Sequence, residues 1–205
     1  MIDYWQKRLK GIGKKIGEST HHTVYNYGSG KVVKIPKKRF DFIYSNRQDL
    51  EADLKLVNGF FPGFAVATRI AGDENDLHHV IIQRRVKNPV LLTPTTYLSV
   101  RKELEKVFDF NRRLIKEHRR SLDILGGTGF ISTVGSIFGI GEAHISNILL
   151  ENRGGKLRPV LVDTELLRLT PSLLSLRDLT VCGLSIVSWV INKIFLARFF
   201  GIRNF

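Results

Sequence analysis

Two short runs early in the chain, TVYNY at 23 to 27 and KVVKI at 31 to 35, flank Gly-Ser-Gly at 28 to 30. β-Branched and aromatic residues around a glycine turn predict a β-hairpin. Residues 41 to 58, DFIYSNRQDLEADLKLVN, change to a helical pattern that stops at Gly59 and Pro62. Two further strand-like pieces, FAVATRI and HHVIIQRRV, lie on either side of the polar turn AGDEND. Strand, strand, helix, strand, strand predicts a small mixed-sheet lobe. From about Thr96 to Arg120, Val100, Leu104, Val107, Phe108, Leu114 and Ile115 recur at helical spacing among lysines and arginines. This is an amphipathic helix with one face on a core. GGTGFISTVGSIFGIG reads as a glycine-containing link, and ISNILLE and LRPVLVD around NRGG read as two strands joined by a turn. There is no internal repeat and no low-complexity linker.

The stretch LTVCGLSIVSWVINKIFLARFF, residues 179 to 200, comes close to the roughly 20 residues that a membrane span needs. Asn192, Lys193 and Arg198 interrupt it, so a buried core helix is the first expectation and interfacial membrane association the second.

Length and composition describe an ordinary globular chain of 205 residues, 43% hydrophobic and 25% charged, enough for one domain or two small lobes. The net charge of +13 implies an anionic partner: nucleotide phosphate, nucleic acid or an anionic membrane face. The charge is spread in short clusters rather than along one helix, and no helix-turn-helix or aromatic RNA-binding motif accompanies it, which argues against nucleic acid. A single cysteine, Cys182, excludes an internal disulfide, and no His or Cys spacing suits zinc. MIDYWQKRLK lacks an apolar signal core, so the expected setting is reducing and cytoplasmic.

Chemistry concentrates in GEAHISNILLENRGGKLRPVLVDTELLRL, residues 141 to 169. Here Asn147 stands just before one apolar run and Asp163 closes the next. Mg²⁺ takes oxygen ligands and is usually held by one or two side chains plus phosphates, a demand that an amide oxygen and a carboxylate can meet. Each residue also has a plain structural role open to it. Asn147 could satisfy its own turn, Asp163 could cap the following segment, and a lysine such as Lys34 could simply be solvated.

These motifs resemble the protein-kinase-like superfamily, in particular its compact aminoglycoside phosphotransferase, choline kinase and lipopolysaccharide kinase branches. GEAHISNILLE is similar to their GDLHPGNILL-type loop and LVDTELLRL to their LIDFE strand end. The resemblance spans roughly Ile16 to Asp178 and implies an α+β, bilobal kinase-like fold. Residues 1 to 88 would form a small mixed-sheet N-lobe, and residues 89 to 205 a truncated, mainly helical C-lobe. It further implies ATP and Mg²⁺ as cofactors. Asn147 and Asp163 would be metal ligands, and Glu142, five residues before Asn147, the acid at the catalytic position. Lys34 would bind phosphates, steered by Glu51, with Asp53 a weaker candidate. Gly17 and Ser19 would belong to the nucleotide-covering turn, and the backbone from Gln83 to Arg85 would pair with adenine. Asp178 would brace the catalytic loop.

Two departures bear on activity: Glu142 is one methylene longer than the usual Asp, and Ile140 stands where His is usual. The expected function is therefore transfer of the γ-phosphate to an unidentified hydroxyl acceptor, lipid- or saccharide-linked given the basic surface and apolar C-terminal helix, at the inner face of a membrane. The alternative is an inactive pseudokinase that binds a nucleotide or a protein.

Overall fold

The computed structural model describes residues 2–18, 22–37, 47–72, 79–163, 165–171, 176–203 and 205. Its elements run α1 (Ile2–Arg8), β1 (Ile12–Glu18), β2 (His22–Tyr27), β3 (Lys31–Pro36), α2 (Arg47–Phe60), β4 (Thr68–Ala71) and β5 (Val80–Arg84). There follow β6 (Pro89–Leu92), α3 (Pro94–His118), β7 (Arg120–Leu122), α4 (Gly126–Ile137), β8 (Ile145–Arg153), β9 (Lys156–Leu161), β10 (Leu166–Arg168) and α5 (Leu176–Phe200).

The first five strands form one sheet in the order β1-β2-β3-β5-β4. Every pairing in it is antiparallel, so the expectation of a mixed sheet is corrected. β1 with β2, β2 with β3 and β4 with β5 are neighbours both in sequence and in the sheet, while β3 meets β5 after the chain has passed through α2 and β4. β3 alternates as period two requires: Val33 and Ile35 are buried with Trp5, Val80 and Ile82, while Lys34 emerges partly buried on the opposite face. The start of the helix expected over residues 41 to 58, residues 41 to 46, lies outside the described residues.

The remainder of the chain builds on α3. Thr93 caps it, with Thr96 closing a capping box and Pro94 in the first turn. Tyr97, Val100, Leu104, Val107, Phe108 and Leu114 turn inward at i, i+3, i+4 spacing and form the larger core with Ile124, Ile145, Ile148, Leu150 and Leu196. Arg119, in the left-handed region at φ 52°, ends the helix. The fully buried Asn111 then accepts from the Leu122 N–H at 2.8 Å, which fixes β7 against α3. β7 pairs with β10, Leu122 opposite Leu166. β6, β8 and β9 make a second antiparallel sheet. The segment read as a link is a helix, α4, whose glycines had hidden it.

Two buried acids tie the parts together. Glu151 of β8, 1% exposed, receives Arg84 of β5 at 2.5 Å, the Lys87 N–H at 3.0 Å and Arg153 at 2.6 Å. Asp53 of α2 accepts from the Leu166 N–H at 3.2 Å and lies 3.4 Å from Arg120. Glu151, bonded first by Arg84, is held down at about 2 against an ordinary 4.5, so stability falls as pH drops from 4.5 toward 2. Asp53, pushed up by burial from 3.8 to about 6, works in the opposite sense. Its folded form keeps a proton that the unfolded chain releases, and stability falls as pH rises from 3.8 to about 6. Urea unfolding across pH should show both limbs; Glu151→Gln should flatten the acid one and Asp53→Asn the other. Asp53→Ala, which takes the carboxylate away from the Leu166 N–H and from half-buried Arg120, should cost about 1–3 kcal/mol.

Candidate functional site

Four separate stretches of chain meet at one place. Lys34 on β3 donates from Nζ to the carbonyl of Val162, just past β9, at 2.6 Å. The Val162 N–H donates to the Asn147 carbonyl at 3.0 Å, and the Asn147 N–H to the Ile124 carbonyl at 3.2 Å. The Asn147 side chain donates from Nδ2 to the Asp123 carbonyl at 2.7 Å. Lys34, Asn147 and Asp163 are therefore brought together, with Asp123 as a fourth member.

Asp123 follows β7, and the pairing of Leu122 with Leu166 sets it beside the segment that carries Asp163 and Glu165. Its carboxylate accepts from the Gly126 N–H and from Asn192 of α5, both at 3.4 Å. Burial pushes the Asp123 carboxyl up, the Asp163 charge adds to this, and the Gly126, Asn192 and Leu125 donors oppose it. Asp163 turns back to accept from the Glu165 N–H at 3.2 Å. The Glu165 carboxyl is raised well above its ordinary range by burial and then by Asp163, with Lys34 as the first opposing charge. Asp123, Asp163 and Glu165 thus act on one another electrostatically, with Lys34 opposing at Glu165, an arrangement that a cation would relieve.

Gly126 has a specific reason to be glycine. Its φ is +59°, and a Cβ there would lie 2.8 Å from Asn147 Oδ1. The side-chain amide nitrogen of Asn147 is spent on Asp123, which leaves the oxygen as its ligand atom. Hard oxygen donors from Asn147 and Asp163, beside a lysine, fit Mg²⁺ shared with a nucleotide. Among the described residues no group of three His, Cys, Asp or Glu side chains could hold a metal unaided.

The other sequence-based candidates stand elsewhere. Glu142 is exposed and accepts from the N–H and Oγ1 of Thr95 at the start of α3. The acidic residue bonded to Asn147, through its main-chain carbonyl, is Asp123, 24 residues upstream rather than five. Spacing missed it because α4 lies between the two; the acid just past the end of β7, soon after α3, was the available signal. Glu51 is paired with Arg47 one turn away at 2.7 Å, not with Lys34. Asp53 braces β7 and β10 instead. Gln83 is buried and donates to Thr68, and the Arg85 side chain donates to Asn26. The N–H groups of Arg84 and Arg85 donate to the Ala67 and Gly30 carbonyls, so these donors are not available to adenine. Gly17 lies in β1 opposite Val24, with no obstruction closer than 3.8 Å. Ser19 and the Asp178 side chain lie outside the described residues.

No family model matches the chain, and no curated protein matches it. It is similar to the solved structure of choline kinase LicA from Streptococcus pneumoniae at 14% identity and TM-score 0.45, over 96% of this chain and 78% of that one. It is also similar to aminoglycoside phosphotransferase APH(4)-Ia at 11% identity and TM-score 0.42, over 80% of this chain and 70% of that one.

Gly126→Ala should cost about 1–2 kcal/mol in urea unfolding, because an L-residue is forced into the left-handed region. The same change should shift the Asn147 side-chain amide resonance, since the new methyl meets Oδ1; an unmoved resonance would mean that glycine does not set the position of Asn147.

Proposed function

We propose that the chain is an ATP- and Mg²⁺-dependent phosphotransferase acting on a hydroxyl group. The observation that carries this reading is the run of hydrogen bonds from Lys34 through Val162 and Asn147 to Asp123, which gathers a phosphate-type lysine, two metal-type oxygen donors and a raised carboxylate. Asn147 and Asp163 would hold the metal, which when bound neutralises charge on the phosphate oxygens. Lys34, anchored at Val162, presents a cation at the same floor. Asp123, rather than Glu142, takes the role of base. Burial raises its carboxyl above the ordinary range, which makes it a better proton acceptor than an ordinary carboxylate. It would accept the proton of the attacking hydroxyl while oxygen bonds to the γ-phosphorus, the bond to the bridging oxygen breaks and ADP leaves.

A second reading, a catalytically inactive nucleotide- or protein-binding module, is favoured by one feature. The backbone donors of Arg84, Arg85 and Lys87 are all consumed internally, which weakens the expected adenine hinge.

Turnover of ATP, with water as acceptor where no other is supplied, separates the assignments. Asp123→Asn should lower turnover by about 10²-fold or more, and Glu142→Gln, whose amide oxygen can still accept from Thr95, should leave it unchanged. The reverse pattern would return the base to Glu142, and no turnover in the unaltered protein would favour the inactive module.

A further inference from the structure

α4 is amphipathic the wrong way round. Phe130, Ile131, Val134, Ile137 and Phe138 recur at i, i+1, i+4, i+7 and i+8, one face of a helix, and all are exposed. Of the described polar side chains, Thr133 is buried, half-buried Ser132 accepts at Oγ from the His144 N–H at 3.4 Å, and half-buried Ser136 donates back to the Thr133 carbonyl of its own helix at 2.9 Å. A helix packed on a protein core in water has the opposite arrangement. Beyond α4, Phe138 and Ile140 are 76% and 73% exposed. The bond from Thr95 to Glu142 fastens this loop to the start of α3, where Leu91 and Leu98 are also exposed. An apolar surface of this kind marks a covered face.

We infer that this face docks on the surface of an anionic lipid bilayer. Charge selects that occupant. No charged residue occurs from Ile124 to Gly141, and no acidic residue follows Asp178, while the chain as a whole carries +13. Such a chain is drawn to an anionic surface and repels its own copies. α5 repeats the pattern. Leu179, Val187, Val190 and Ile194 form an exposed stripe, and Lys193 lies 4.7 Å over the Trp189 ring, a cation and an indole of the kind enriched at membrane interfaces. α5 is long and apolar enough to span, yet its other face is committed to the protein through Phe195, Leu196, Phe200 and the Asn192 bond to Asp123. It therefore lies along the interface rather than across it.

α4 is the segment between Asp123 and Asn147, so docking there sets the candidate site at headgroup level. Resting on the phosphotransferase reading, the acceptor hydroxyl is then one carried by a membrane lipid.

Cosedimentation with vesicles of phosphatidylcholine alone, and of phosphatidylcholine with phosphatidylglycerol, tests the docking without any nucleotide. The protein should bind the anionic vesicles, less so at high salt. Ile131→Asp and Phe138→Asp should each weaken binding about tenfold or more while leaving the unfolding midpoint unchanged. Ile131→Ser and Phe138→Ser serve if the charged variants fail to fold. Absence of binding, equal binding by the variants, or a lipid-free dimer that the same substitutions break would overturn the inference. Failure of phosphotransfer would leave the vesicle result standing.

Discussion

The candidate site depends on one run of hydrogen bonds. From the Lys34 ammonium to Val162, from Val162 to Asn147, and from Asn147 to Ile124 and Asp123, each donor is followed by an acceptor on a different stretch of chain. All four end on a main-chain carbonyl, and where the surroundings are partly buried an unmade bond costs more than a made one contributes. Around this run the rest of the fold acts as support: Asn111 fixes β7, Asp53 with Arg120 fixes α2 to β7 and β10, and Glu151 fixes β5 to β8. Each support uses a polar group inside the protein; Asn111 and Glu151 are hydrogen-bonded, while Asp53 meets Arg120 only as an ion pair at 3.4 Å.

The insertion of α4 into the loop between Asp123 and Asn147 links two properties that are usually separate. The same segment completes the floor of the site, through Gly126 against Asn147, and carries the most exposed apolar side chains in the described chain's middle region. A helix with its hydrocarbon outward is costly in water. It becomes favourable only when the outer face is covered, and the basic charge of the chain states what should cover it.

Much of the architecture was legible because it is local. The hairpin of β2 and β3, the apolar face of α3, and the strands β8 and β9 around Gly154 and Gly155 all follow from periodicity and turn chemistry. Lys34, Asn147 and Asp163 were singled out from the motifs that carry them, and the hydrogen bonds bring those segments together. What stayed hidden is long-range. Asp123 escaped because a five-residue spacing assumes an uninterrupted loop. Glu51 failed because Arg47, one turn before it, captures a carboxylate more readily than a lysine on another element. The hinge donors at Arg84 and Arg85 failed because their acceptors, Ala67 and Gly30, are set by strand pairing that sequence does not display.

The central claim is that Lys34, Asn147 and Asp163 form a nucleotide site completed by a metal. Calorimetric titration of ATP into the protein, with and without Mg²⁺ and again with Asp163→Asn, tests it most directly. The account predicts saturable binding that requires Mg²⁺ and is lost in Asp163→Asn. Binding that ignores both the metal and the substitution, or no binding at all, would contradict it.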